Sequence, residues 1–284
     1  MRGVELMQRE EVERLRRLCG HTLSAHAFPS LYLWQEQLSL ELELGEAYFA
    51  ARMTRHGGSA WFFPCGSEAG RLAFLAAHGG EAGLRLLYLR REDMAWLQAR
   101  EPDRWRFCRR PDGDEYLYLR GSHLAMAGGP FRDLRRRLRK IERELEPQVQ
   151  PLDDGGTADA RRIVEAWAAW RPGSALDDRQ VALEALERRT ELGMRGVIVY
   201  LRGQPASFML GFPLSEDSFD AAVGKSAVDV QGLTYYTLHA LMRTLPECCR
   251  WMNLEEDLGL PGLREMKENF LPDGRHEIWE AQRL

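Results

Sequence analysis

The sequence predicts an α+β (mixed α/β) protein of two halves, each a mostly antiparallel mixed sheet flanked by helices. Three observations carry that prediction. Strand-length apolar runs and helix-length amphipathic runs interleave along the whole chain. Two segments, 38–53 and 196–212, break into paired runs around a turn signal, as hairpins do. The most basic stretch, 130–147, has its apolar residues at helical spacing.

In chain order, a helix is expected over 8–19, then the hairpin LSLELELGEAYFAARM, in which Leu alternates with polar residues around Gly45. AWFFPCG reads as a short buried strand, with Trp34, Trp61, Phe62 and Phe63 as core or pocket wall. EAGRLAFLAAH is a helix closed by Gly79 and Gly80, LRLLYL a strand, REDMAWLQAR a helix, and 105–110 and 115–120 bracket a PDGD turn. The basic helix PFRDLRRRLRKIERELEP stops at Pro147, and DDGGTAD after it reads as a linker. Beyond lie an amphipathic helix carrying Ile163, Ala166, Trp167 and Trp170, and a helix over 177–192 ending at Gly193. The strands GVIVYL and ASFMLGF follow, joined through Arg202-Gly203-Gln204-Pro205, and then the strand FDAAVGK. A helix with an inner stripe of Leu238, Leu241, Met242 and Leu245 leads to the strand WMNL and the terminal strand HEIWEAQRL. This divides the chain into an N-terminal domain (1–128), a basic connecting helix (129–147) and a C-terminal domain (148–284).

Composition narrows the function. With 44% hydrophobic and 29% charged residues the chain suits a soluble globule. A net charge of −4 gives no whole-molecule attraction to nucleic acid or anionic membrane, so such a contact needs a local patch. No apolar run is long enough to span a bilayer, and the charged start is no secretory signal, so a cytoplasmic protein is expected. The five cysteines lack a C-x-x-C pair and are expected as reduced core thiols. The seven histidines show no H-x-x-x-H spacing and no G-x-S-x-G is present; neither a metal site nor a nucleophile is expected.

Four places can carry chemistry. Glu255, Glu256 and Asp257 crowd three carboxylates where a strand gives way to a loop; they either cap the following helix or face an amine. Arg264 and Lys267 follow at a helical spacing of three, as counter-charges to the trio or as a grip on an anionic carrier. Arg135, Arg136 and Arg139, in the run RRRLRK, form a basic outer face for tRNA phosphates or an anionic membrane surface; Glu142, Glu144 and Glu146 equally allow a solvated, salt-bridged helix. Lys225 ends a strand, where it is either an exposed lysine or a contact for phosphate or a developing oxyanion. His239 is a further candidate base or an ordinary core histidine.

The element order of the second half resembles the GNAT acyltransferase fold. In a GNAT, amides at the helix start cradle an acyl-CoA pyrophosphate; the matching loop here is Val230-Gln231-Gly232-Leu233, which keeps Gln231-Gly232 of the usual signature and has Tyr235 in place of a small residue. E-E-D-L-G followed by Gly262-Leu263-Arg264 and Lys267-Glu268 is similar to the ending of the DUF2156 family, related to the C-terminal domain of phosphatidylglycerol lysyltransferases and to Fem-type aminoacyl transferases. Leu33-Trp34, Phe62-Phe63-Pro64, the basic helix after Gly128, Trp170, Gly211 with Pro213-Leu214, and Lys225 extend the resemblance over most of the chain. Gly128-Gly129-Pro130 and Gly224 depart from it, standing where the family has Gly-Lys-Lys and Glu.

The resemblance implies two GNAT-like halves and transfer of an acyl or aminoacyl group, from acyl-CoA or aminoacyl-tRNA, to a small-molecule amine or hydroxyl by direct attack. Glu255, Glu256, Asp257 and Lys225 would be catalytic, Val230 to Leu233 would hold the carrier, and Arg135, Arg136, Arg139, Arg264 and Lys267 its phosphates. The lipid acceptor of the lysyltransferases is not expected, since no segment corresponds to their membrane portion; peripheral membrane contact is left to the basic helix. A different class also fits: a GNAT fold that senses an amino acid without catalysis.

Overall fold

In a computed structural model the chain is described for residues 3–55, 58–81, 83–170 and 178–284. The elements run α1 (Arg9–Leu18), α2 (Phe28–Leu38), β1 (Leu40–Leu44), β2 (Tyr48–Arg55), β3 (Gly58–Phe62), β4 (Cys65–Gly66), α3 (Glu68–His78), β5 (Arg85–Leu89), α4 (Arg91–Arg100), β6 (Trp105–Arg109) and β7 (Glu115–Leu119). They continue as α5 (Arg120–Ala125), α6 (Arg132–Leu145), β8 (Pro147–Pro151), α7 (Asp154–Trp170), α8 (Asp178–Glu187), β9 (Arg195–Leu201), β10 (Gln204–Pro213) and β11 (Ser218–Ser226). The last are α9 (Leu233–Thr244), β12 (Trp251–Asn253), α10 (Pro261–Asn269), β13 (Gly274–His276) and β14 (Trp279–Arg283).

Two compact units result. The first holds residues 1–115, 256–259 and 275–284; the second holds 116–255 and 260–274. The first unit's sheet has the order β1-β2-β3-β5-β14-β6, with β4 beside β2, and is antiparallel except where β3 meets β5. Its hairpin keeps the expected register, Leu44 opposite Phe49, and Trp61, Phe62 and Phe63 are buried. The second sheet, β13-β7-β12-β11-β10-β9-β8, is antiparallel apart from β11 against β12. The β9–β10 hairpin turns on Arg202 (φ 49°) and Gly203 (φ 74°), the left-handed pair whose twist matches that of the strands.

The second sheet is covered on both faces. Val197, Val199 and Leu201 of β9 share a core with Leu238, Leu241 and Met242 of α9 and with Leu134, Leu138 and Ile141 of α6. Ile198, pointing the other way by strand alternation, approaches the backbone of α7 at Gly156.

Several expectations change. The supposed linker DDGGTAD is the start of α7: the Asp153 carboxylate accepts the Gly156 N–H (3.2 Å) and caps it, and Gly156 lies close under Leu152 and Ile198. The terminal strand belongs to the first sheet, between β5 and β6, since Ala281 completes that unit's core. The strands flanking the PDGD turn enter different sheets. Cys65 and Cys249 are buried as expected, but Cys108 and Cys248 are exposed; no two cysteines are disulfide-bonded among the described residues. The Trp170 side chain and the start of the 177–192 helix lie outside the described residues; α8 is described from Asp178.

Candidate active site

The second unit brings together the end of one parallel strand pair and the start of a helix. β11 and β12 pair only over Ser218–Asp220 and Trp251–Asn253, after which β11 runs on to Ser226 beside β10 alone. The chain after β12 instead turns to β7: Leu254 N–H donates to Tyr116 O (3.0 Å) and Tyr116 N–H to Glu255 O (3.1 Å). Beyond Asp220 no strand among the described residues pairs with this edge of β11, and an extended ligand can pair with such an edge.

The strand end at 253–255 is locked from two sides. The buried Asn253 carboxamide oxygen accepts the Glu255 N–H (2.7 Å), and Glu255 takes a left-handed φ of 58°. Lys267 reaches in from α10, itself buried, and its ammonium donates to Leu254 O (2.6 Å) and Glu255 O (3.1 Å). The Tyr116 ring lies 5.6 Å from that ammonium, and Tyr118 Oη donates to Lys267 O (2.8 Å). A cation removed from water needs such acceptors, so Lys267 fixes the acidic loop through its backbone instead of lying open to a carrier's phosphates. Arg264, three residues earlier, is exposed.

The boundary between the units falls inside the trio, after Glu255. Glu255 and Glu256 are half-buried and Asp257 is buried, its carboxylate accepting the Gly259 N–H (2.8 Å) across a turn with Leu258 at φ 54° and Gly259 at φ 71°. The trio does not cap α10: the N-cap is Leu260 with no side-chain hydrogen bond, and the first turn is free of acidic residues. The capping alternative is therefore set aside.

α9, which packs on β9, β10 and β11, starts at Gly232, whose φ of 92° favours glycine and where an added Cβ would lie 3.2 Å from the Arg137 Cβ. Leu233 N–H closes the turn by donating to Val230 O (3.0 Å). Of the four loop residues, Leu233 and Val230 turn their side chains into or against the core, while Gln231 is exposed. The basic helix supplies the cation here: Arg137 packs over Gly232 with its guanidinium 5.8 Å from the Tyr235 ring, which stacks in turn on Phe270 (5.6 Å). Burial pushes the Tyr235 phenol up, with Arg137 opposing that shift. A guanidinium beside a helix N-terminus makes a place for an anionic group.

Arg137 was absent from the sequence-based candidates, although the wheel that put Leu134, Leu138 and Ile141 on the inner stripe sets residue 137 between them. Its neighbours go elsewhere. Arg135 donates to the carbonyls of Met126 and Gly128, the second at 2.8 Å, and so ties off the loop after α5. Arg136 pairs with Asp133 (3.4 Å) in solvent and Arg139 is exposed. Lys225 lies on the opposite face from α9, its ammonium 4.1 Å from the Trp167 ring centre and 3.5 Å from Asp178 Oδ2. His239, half-buried within α9, has its pKa lowered to about 4 by burial and by Arg243.

A parallel pair that splays beside a helix opening on a left-handed glycine, within a mixed sheet covered on both faces, defines the GNAT-like class of transferase folds. Residues 16–281 match the family described as phosphatidylglycerol lysyltransferase, C-terminal, and the chain belongs to that family. It is accordingly an enzyme of the acyl- or aminoacyl-transfer class. Among solved structures it is similar to a conserved protein of unknown function from Bacteroides thetaiotaomicron, at 20% identity and TM-score 0.87 with 100% of this chain and 99% of that one covered. The C-terminal domain (DUF2156) of a putative lysylphosphatidylglycerol synthetase from Agrobacterium fabrum follows at 15% and 0.70, covering 97% and 92%. L-PGS from Bacillus licheniformis stands at 14% and 0.68, covering 96% and 91%. These likenesses are of fold. No curated protein sequence matches the chain. No helix among the described residues is long and apolar enough to cross a membrane.

Proposed function

We propose that the chain transfers an aminoacyl group from aminoacyl-tRNA to a small amine or hydroxyl acceptor. The observation that carries this reading is the parting of β11 from β12 near Gly232 and Arg137: an anion grip near a strand edge to which no strand among the described residues pairs. The 3′ end of the carrier enters along β11, a phosphate rests on the α9 N-terminus and Arg137, and Arg136 and Arg139 on the outer face of α6 meet the rest of the polyanion. The exposed basic face favours a long polyanionic carrier over CoA.

In the reaction, the acceptor's lone pair attacks the ester carbonyl, and the C–O bond to the ribose breaks as the tetrahedral intermediate collapses. Glu255 receives the acceptor's proton and returns one to the leaving ribose oxygen. Asn253 and Lys267 set the backbone from which Glu255 projects. Lys225, held by Trp167 and Asp178, takes no part in the transfer.

The test adds charged tRNA and, separately, acetyl-CoA, reading thermal shift and acceptor mass. Charged tRNA should raise Tm, and Arg137→Ala should weaken its binding about 10–100-fold, as for loss of a charge-assisted contact. Glu255→Gln should bind charged tRNA normally and lose turnover. A shift with acetyl-CoA alone overturns the choice of carrier. No shift with either overturns the reading.

A further inference from the structure

The first unit contains a buried cluster that the transfer chemistry does not use. His21, His26 and Cys65 are fully buried, and their ligand-type atoms lie within 4.8 Å of one another. The two imidazole rings are 3.9 Å apart at their centres. His26 Nε2 lies 3.0 Å from Phe63 O; a carbonyl only accepts, so this nitrogen carries the proton and Nδ1 keeps its lone pair. That Nδ1 has no hydrogen-bond partner among the described residues. His21 goes further: neither ring nitrogen has a hydrogen-bond partner among the described residues, Nε2 lying 3.6 Å from Asp93 Oδ2. Cys19 stands beside Cys65 with its thiol on Arg16 O (3.2 Å) and on Cys65 itself.

Buried polar atoms normally find partners, and two buried imidazoles with unpaired ring nitrogens beside a buried thiol need a reason. We propose that this cluster is a structural site for a borderline-soft divalent cation of the zinc class. His21 and His26 bind through Nδ1, Cys65 as thiolate, and Cys19 is placed to complete the set. Two nitrogens and two sulfurs suit tetrahedral Zn²⁺, whose bonds of about 2.0–2.3 Å set ligand atoms roughly 3.5 Å apart, so the cluster closes by about 1 Å on binding. The second set of contacts is already in place, because ring N–H groups of metal-bound histidines characteristically face a carboxylate or a carbonyl, here Asp93 and Phe63 O. Binding releases two thiol protons to solvent, and two thiolates leave the dication site neutral.

The backbone holds this geometry. Arg16 accepts the His21 N–H at its carbonyl (3.1 Å) and donates to His21 O (2.7 Å), while Arg90 donates to Gly20 O (2.8 Å) and holds Asp93 (3.0 Å). His21 and Cys65 are 44 positions apart in the sequence, which is why motif spacing did not reveal them.

The full chain, purified under reducing conditions, should carry one zinc per chain by elemental analysis. Co²⁺ added to chelator-treated protein should produce tetrahedral d–d bands and a thiolate-to-cobalt charge-transfer band. Cys65→Ser should cut that band by about half, from two thiolates to one, while Cys108→Ser, remote and exposed, should keep it. Should Cys65→Ser not fold, the wild type decides: chelation should lower Tm and added Zn²⁺ restore it. The proposal is overturned by a wild type that binds neither ion, by a cobalt spectrum indifferent to Cys65→Ser, by a Tm untouched by chelation, or by a Cys19–Cys65 disulfide that persists through purification under reducing conditions.

Discussion

The two units each bury a polar cluster, and they treat it in opposite ways. In the second unit the Lys267 ammonium, the Asn253 carboxamide and the carbonyls of Leu254 and Glu255 satisfy one another within one bend of the chain. In the first, the Nδ1 atoms of His21 and His26, close to Cys65, have no hydrogen-bond partner among the described residues. A closed set of this kind holds a loop in shape by its own hydrogen bonds, whereas an open set of lone pairs and a thiol calls for a further component. One cluster is a buttress for a site, the other is a site.

The sharpest way to break this comparison is Lys267→Met, which removes the buttress but keeps most of its volume. Two buried carbonyls lose a charged donor, so denaturant unfolding should show a loss of about 2–4 kcal/mol. A change near zero would mean the Glu255 bend stands without it. Gly232→Ala comes next: a methyl group against the Arg137 Cβ at φ 92° should destabilise by roughly 1–2 kcal/mol and weaken charged-tRNA binding as well. Unchanged stability would place the strain elsewhere.

Acid pH gives a smaller and directional effect. Burial holds the His239 pKa at about 4, below the ordinary 6.5, so between those values the unfolded chain binds the proton more readily. Its contribution to stability is complete above pH 6.5 and is lost as the pH falls toward 4. His239→Gln should flatten that limb of the stability profile, and an unaltered limb would assign it to other groups. The least effect is expected for Lys225→Met, about 0.5–1 kcal/mol from the contact with Trp167, with charged-tRNA binding and turnover unaffected. A loss of turnover there would return Lys225 to the reaction.

Much of the fold was legible because local periodicity survives into the structure. The β1–β2 hairpin, the inner stripes of α6 and α9, and the stop at Pro147 all follow from spacing that any neighbouring core would enforce. The start of α7 was misread because Asp-Gly-Gly has linker composition. The Asp153 carboxylate, which accepts the Gly156 N–H, caps a helix there instead. Within the site, the carboxylate trio and Gly232 stood out as charge and glycine at element ends. Arg137 was hidden in a run of five cations, because which of them turns inward depends on where α9 lies.

By itself, then, the sequence determined the class: alternating strands and helices, a basic amphipathic helix, an acidic loop after a strand, and a motif pattern spread over most of the chain. These are local or short-range properties, set by side-chain period, turn chemistry and charge. The tertiary structure alone decided which sheet received the last strand, which arginine meets the α9 N-terminus, that Lys267 is a buried brace, and that His21 and His26 share a pocket with Cys65. Each of these depends on contacts between residues far apart in the chain, where burial and hydrogen-bond satisfaction, not periodicity, select the arrangement.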